Sequence, residues 1–200
     1  MAADRDFSDE LEDWLKGDTP KTVGALSEEF EERAFAVTIL LLMFPSALPI
    51  PTGGITHVLE FFAIIVALQM VAGRTTLWLP KRFAQRELGA SMTEKAVPFI
   101  SRRIRWFEKY SAPRLAGLFD QRWFIRIIGL VILVFTLGAI IAPPFSGLDT
   151  LPALGIVIIC LAIVLGDILM FVIGAAIGAG GIALILTVGA AIAHFLRNLF

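Results

Sequence analysis

The sequence predicts an all-α integral membrane protein: two duplicated Pro/Gly-bent helical hairpins, a basic interfacial amphipathic helix between them, and a C-terminal Gly-rich apolar helix or hairpin. Three observations carry this reading. Hydrophobic residues make up 57% of the 200, and the mean hydropathy is +0.80, whereas a water-soluble domain of this size is roughly half apolar or less. Charge is segregated: 11 of 18 acidic residues fall between Asp4 and Glu32, and 11 of 17 basic ones between Arg74 and Arg122. Long apolar runs bounded by proline, glycine or charge fill most of the remainder. The resulting division is an acidic N-terminal segment (1–26), a first membrane hairpin (27–73), a basic cytoplasmic or interfacial segment (74–122), a second membrane hairpin (123–166) and a C-terminal membrane helix or helical hairpin (167–200).

The N-terminus, "MAADRDFSDELEDWLKGD", lacks a basic stretch followed by an apolar one, so it does not read as a cleaved signal peptide and is expected to stay in the cytoplasm. Leu11, Trp14 and Leu15 share one helical face among acids, which predicts a short amphipathic segment packed on the protein or on a partner. Anionic lipid would repel its acidic face. Ser27 followed by Glu28 and Glu29 reads as an N-cap with first-turn acids, so a helix begins there.

That helix is wholly apolar from Ala34 to Met43 and then meets Pro45, Pro49 and Pro51, where backbone donors are missing. A second run extends from Ile55 to Ala72. Between them lies "LPIPTGGITHVLE", Leu48 to Glu60. Runs of about 17 or 18 residues are at the short end for a hydrocarbon core of roughly 30 Å, so re-entrant or broken helices are an alternative to plain spans.

In the basic segment, "WLPKRF" (Trp78 to Phe83) combines tryptophan, proline and basic residues, as expected where a chain leaves the bilayer at headgroup level. Val97, Ile100, Ile104 and Phe107 recur at helical spacing with Arg102, Arg103, Arg105 and Lys109 around them, which predicts a basic amphipathic helix on the membrane surface. Nucleic-acid binding is set aside, because cytoplasmic loops beside membranes are normally rich in Lys and Arg. The same bias places the basic middle, like the N-terminus, on the cytoplasmic side of the membrane.

After Arg126 the apolar runs Ile127 to Ala142, Leu148 to Leu165 and Ile168 to Ala193 are interrupted by full charges only at Asp149 and Asp167, with Arg197 near the end. "GAAIGAGG" (Gly174 to Gly181) offers Gly174 and Gly178 as a small-residue packing face, while Gly180-Gly181 is a place where the helix could break. Cys160, the one cysteine, allows neither an intrachain disulfide nor a cysteine metal site and reads as a packed hydrophobe.

Setting position n against n+93 aligns Pro51 with Pro144, Gly54 with Gly147, Ile55 with Leu148, Gly73 with Gly166, and Arg74 with Asp167. Duplicated hairpins with helix breakers at corresponding positions point to a transporter-like site at the repeat interface. The same residues also make the turns that any hairpin needs. The repeats are parallel if both hairpins span.

A carboxylate at Glu60, six residues into an apolar run, is costly unless paired, hydrated or protonated. His57 lies three residues before it on the same helical face and could exchange a proton with it. Gln69, Arg74 and Asp167 form a second group, in which Arg74 and Asp167 could form an ion pair between the hairpins, chiefly as a structural link. Thr52 and Asp149 add polar groups at the outer mouth, and Pro49, Pro51, Gly53, Gly54, Pro143, Pro144 and Gly147 shape the turns. No HExxH, Walker loop or GxSxG occurs, so neither an enzyme nor a cofactor or metal site is expected. A homodimer is, because few short helices can enclose a polar path alone.

"LPIPTGGITHVLE", "LQMVAGRTTLWLP", "VPFISRRIRWFEKYSAPRL" and "APPFSGLDTLPALGIVIICLAIVLGD" together resemble the bacterial exopolysaccharide synthesis ExoD family. The matching positions are Pro49, Pro51, Gly53, Gln69, Gly73, Arg74, Trp78, Leu79, Pro80, Glu108, Pro113, Arg114, Pro143, Pro144, Gly147, Pro152 and Asp167, over about residues 22 to 190. The chain departs from the pattern at "PPFSGLD" and in having Ile after Asp167. The resemblance implies an integral inner-membrane protein connected with exopolysaccharide production, and no biochemical activity. Two roles fit: a small ion, proton or solute transporter, or a scaffold that holds polysaccharide synthesis or export proteins and membrane lipid.

Overall fold

A computed structural model describes residues 7–20, 33–48, 55–74, 76–78, 114–143 and 146–199, together with positions 22, 25, 102, 105, 106 and 109. Pro49, Pro51, Thr52, Gly53, Gly54 and Pro144 lie outside the described residues, as do Ser27, Glu28 and Glu29 and the apolar positions Val97, Ile100, Ile104 and Phe107.

The secondary structure of the described residues is helical. Helix α1 (Phe7–Lys16) carries Asp9 and Glu10 in its first turn and Lys16 in its last, an order that favours the helix dipole. Leu11 and Trp14 are buried within the main apolar core. Of the two expected docking surfaces for this segment, the protein's own body is the one it uses.

Helix α2 (Ala34–Met43) is buried at all ten positions, as expected of a helix that is apolar all round. At about 15 Å it is far shorter than the roughly 30 Å of a hydrocarbon core. The chain continues in a helical turn, Ala47 N–H donating to the Met43 carbonyl at 3.0 Å. Ser46 and Ala47 in that turn are buried too, so the start of the first bend lies inside the protein.

Helix α3 (Ile55–Val71) ends where Gly73 takes φ +72 and Arg74 N–H reaches back to the Gln69 carbonyl at 3.0 Å. Helix α6 (Thr150–Leu165) ends the same way, with Gly166 at φ +64 and Asp167 N–H on the Ala162 carbonyl at 3.1 Å. Both are left-handed closures in which glycine avoids the Cβ penalty.

Between them lie the short helix α4 (Ala116–Phe119) and helix α5 (Arg122–Ile141); helix α7 (Ile168–Leu199) completes the chain. Among the described residues, two helices are long and apolar enough to cross a membrane, Arg122–Ile141 and Ile168–Ile192. On α5 one face buries Phe124, Ile128, Ile132, Phe135 and Ala139, while Ile127, Leu130, Val134, Leu137 and Ile141 form an exposed stripe. A helix with one apolar face in the core and another outside is suited to lipid on its outer side.

Helix α2 packs on α3 and α6, α3 packs on α5, and α5 packs on α6, so these four close into a ring. Helix α7 lies along α6 and also touches α5. The α6 to α7 crossing depends on glycine: a Cβ on Gly155 would stand 2.6 Å from the Gly178 Cα, and one on Gly174 2.9 Å from the Gly155 carbonyl oxygen. Gly174 and Gly178 thus form the expected close-packing face. Of the two alternatives left open for the C-terminus, the break at Gly180-Gly181 does not occur. Helix α7 runs unbroken for 32 residues, with Gly181 packed against Pro152, and the hairpin alternative for the C-terminus falls with it. An interior glycine costs a helix only about 1 kcal/mol, less than freeing backbone groups in an apolar medium.

Candidate functional site

Glu60 occupies the second turn of α3, and its side chain is fully buried, 0% exposed. Two groups meet it. The Ser46 hydroxyl donates to Oε1 at 3.0 Å, and His57 Nδ1 lies 2.8 Å from Oε2. The histidine is one helical turn before the carboxylate, as its spacing predicts, but its side chain remains 27% exposed. His57 therefore connects a buried carboxyl group to the surface.

A buried charge without a partner is prohibitively costly, so Glu60 depends on the two groups that meet it. One hydrogen bond joins Nδ1 and Oε2, its donor set by the imidazole tautomer, and Ser46 satisfies the other oxygen. The arrangement places a hydrogen-bonded path from the buried carboxyl group to the partly exposed ring of His57.

Gln69, Arg74 and Asp167 do not form the expected cluster. The Gln69 amide donates to the Ile65 and Trp78 carbonyls at 3.2 and 2.9 Å and accepts from Trp78 N–H at 2.7 Å, so it clamps the chain leaving α3. Asp167 is buried and caps α7 by accepting from Leu169 N–H at 2.9 Å. Its ion-pair partner among the described residues is Arg114, at 3.6 Å, in place of the expected Arg74, which is exposed. The main chain fixes this choice: Ile168 N–H donates to the Arg114 carbonyl at 3.3 Å, holding Arg114 beside Asp167. Gly73, which precedes Arg74, packs against the Arg126 guanidinium, 2.5 Å from where a Cβ would stand.

In the second bend, Pro143 and Gly147 are exposed and Asp149 is partly buried; Gly147 takes φ +68. This turn is closed by Ser146, whose hydroxyl donates to the Pro143 carbonyl at 2.6 Å and accepts from Leu148 N–H at 3.2 Å. It therefore differs from the first bend, whose Ser46 is buried and bonded to a carboxylate.

A second polar cluster joins the chain's two charged segments. Arg105 Nη2 donates to Asp9 Oδ1 at 2.9 Å and to Glu12 Oε1 at 3.0 Å, and Arg33 lies 3.7 Å from Glu10. Glu12 above all, with Asp9, holds the Arg105 guanidinium above its ordinary pKa.

Sequence reasoning missed Ser46, Arg114 as a partner of Asp167, and Arg105 as a partner of α1. A hydroxyl between two prolines at the end of an apolar helix was a signal for the first. Nothing local pointed to the other two, whose partners are distant in sequence.

Comparison with known proteins gives consistent results. An uncharacterized protein of Synechocystis sp., slr1875, is 29% identical over 159 residues, covering 76% of this chain and 72% of that protein. Protein ExoD of Rhizobium meliloti is 32% identical over 165 residues, covering 78% of this chain and 65% of that protein. No solved structure matches. The family model for exopolysaccharide synthesis, ExoD, matches residues 7–187, and the chain belongs to that family.

Proposed function

We propose that this chain is a multi-pass inner-membrane protein that supports exopolysaccharide synthesis by moving a proton, or a solute coupled to one, through the Ser46, His57 and Glu60 site. The observation that carries this reading is a fully buried carboxylate held by a hydroxyl and by an imidazole that reaches the surface. Ionisable groups at such depth mark ion and proton pathways more often than packing. Farther back along α2, the Thr38 hydroxyl is buried without a hydrogen-bond partner, a polar group able to take a water or a passing ion.

The site is built on a duplicated hairpin. Support comes from the alignment of n with n+93, from the matching left-handed closures at Gly73 and Gly166, and from reciprocal packing, α2 on α6 and α3 on α5. The two units are unequal. Positions corresponding to Ser46, His57 and Glu60 are Ala139, Thr150 and Ala153, so the titratable site exists once per chain. The first hairpin is re-entrant in this reading: α2, at ten residues, is too short to span, and Ser46 and Ala47 in the helical turn that follows it are buried inside the protein. The N-terminus and the basic segment face the cytoplasm, and the working unit is a homodimer among membrane lipids, close to the polysaccharide machinery.

The test is proton flux into vesicles containing the purified protein. Wild type should acidify the lumen under an imposed potential, and Glu60→Gln should abolish the flux while the protein remains folded. Undiminished flux in that variant overturns the assignment of Glu60.

A further inference from the structure

Acidic and basic segments far apart in the sequence meet in the fold. Asp9 and Glu12 project from one side of α1 onto a single guanidinium, Arg105, at 2.9 and 3.0 Å. The opposite side of α1 anchors Leu11 and Trp14 in the core. The charged contact is open to water, with Arg105 52% and Asp9 56% exposed. Exposed pairs of this kind are weak and easily screened, so α1 is held by its apolar anchors while its acids lie across Arg105 with little energy of their own.

Arg105 is flanked at helical spacing by Arg102 and Lys109, and all three positions are helical and exposed. Trp106, beside them, is exposed as well. Basic residues on one helical face with an adjacent tryptophan are the composition of a surface that rests on phospholipid headgroups. A guanidinium binds phosphate oxygens with the same fork that it offers to carboxylates. Attraction to an anionic leaflet adds up over every basic residue near it, whereas α1 offers Arg105 two carboxylates.

We propose that α1 is a built-in polyanion whose Asp9 and Glu12 occupy an Arg105 face that otherwise docks on the phosphates of anionic phospholipids, giving the protein a clasped and a lipid-docked state. An anionic leaflet competes the acids off Arg105 and loosens α1; a neutral leaflet leaves the clasp closed. The cellular side of this event rests on the cytoplasmic placement proposed above. Nanodiscs present both leaflets, so the experiment does not depend on that placement or on proton transport.

Amide hydrogen exchange over residues 7–16 of the full-length protein reads the clasp directly. Exchange should be slow in phosphatidylcholine nanodiscs and about threefold faster in discs rich in phosphatidylglycerol, the scale that two exposed ion pairs allow. Arg105→Glu should give fast exchange in both lipids. The double variant D9N/E12Q removes the same two contacts without reversing a charge and should likewise lose the lipid dependence. Equal exchange of the wild type in the two kinds of disc overturns the proposal, as does a lipid response retained by both variants. Acceleration by inorganic phosphate alone in neutral discs would make this a free-anion site and overturn docking on the leaflet.

Discussion

The Ser46 hydroxyl donates to the Glu60 carboxylate at 3.0 Å, joining the buried turn after α2 to the second turn of α3 across 14 residues of chain. This bond fixes one oxygen of Glu60 and leaves the other to His57. Ser46→Ala removes the donor and strands a buried acceptor, at a cost of roughly 1 to 3 kcal/mol. Thermal unfolding in detergent should show a lower midpoint, and proton flux should fall because the carboxylate loses its orientation.

Glu60→Gln and Glu60→Ala separate chemistry from packing. Glutamine keeps the volume, accepts from Ser46 and donates to His57, so stability should change by about 1 kcal/mol or less while proton exchange is lost. Alanine leaves a cavity and an orphaned hydroxyl, and should cost roughly 2 to 5 kcal/mol. Unfolding curves of the two variants measured side by side check the difference.

Glycines of α7 should differ sharply in tolerance. A Cβ on Gly178 would run into the Phe135 ring, and the Gly178 backbone is already against Gly155; a Cβ on Gly189 meets nothing within 4 Å. Gly178→Val should therefore push α7 away from Phe135 on α5, disturb its close packing on α6, and reduce folded yield. Gly189→Ala should leave stability unchanged or raise it by up to about 1 kcal/mol.

Gly73 and Gly166 both close helices at positive φ, so Ala at either should cost about 1 kcal/mol. Gly73→Ala should cost more, because its Cβ would displace the Arg126 guanidinium, whereas the neighbour of Gly166 is the Ala116 Cβ at 3.1 Å. Paired thermal melts of the two variants give the order.

Asp167 combines a helix cap with an ion pair. Asp167→Asn keeps an acceptor for Leu169 N–H and gives up the pair with Arg114, whose side chain is 48% exposed while that of Asp167 is buried; a neutral amide of the same shape keeps the cap, so the loss should be about 1 kcal/mol or less. Asp167→Ala also removes the cap and should cost roughly 1 kcal/mol more. Arg114→Ala should match the asparagine variant if the pair alone is at stake.

Element type and extent were legible where the apolar pattern was long. The runs from Ala34, Ile55, Leu148 and Ile168 became helices starting within two residues of those positions, because proline, glycine or charge marks each boundary. The pairing of His57 with Glu60 was also legible, since three-residue spacing on a helix fixes it locally. Gly180-Gly181 misled because glycine propensity is weak beside the hydrogen bonding and packing of a long apolar helix. The Arg74 to Asp167 pair failed for a different reason. Arg74 and Asp167 both follow a left-handed glycine closure, but a shared local fold does not give shared neighbours, and the neighbour of Asp167 is set by the chain entering α4.

The reciprocal packing of α2 on α6 and of α3 on α5 has a consequence for biosynthesis. The ribosome completes the first hairpin well before the helices that enclose it exist, and domains otherwise tend to fold in the order of their synthesis. Until residues 122–165 emerge, α2 lacks its cover on α6 and Glu60 lacks a finished interior. The nascent pair of α2 and α3 is therefore made before its cover, and its final burial is timed by the arrival of α5 and α6.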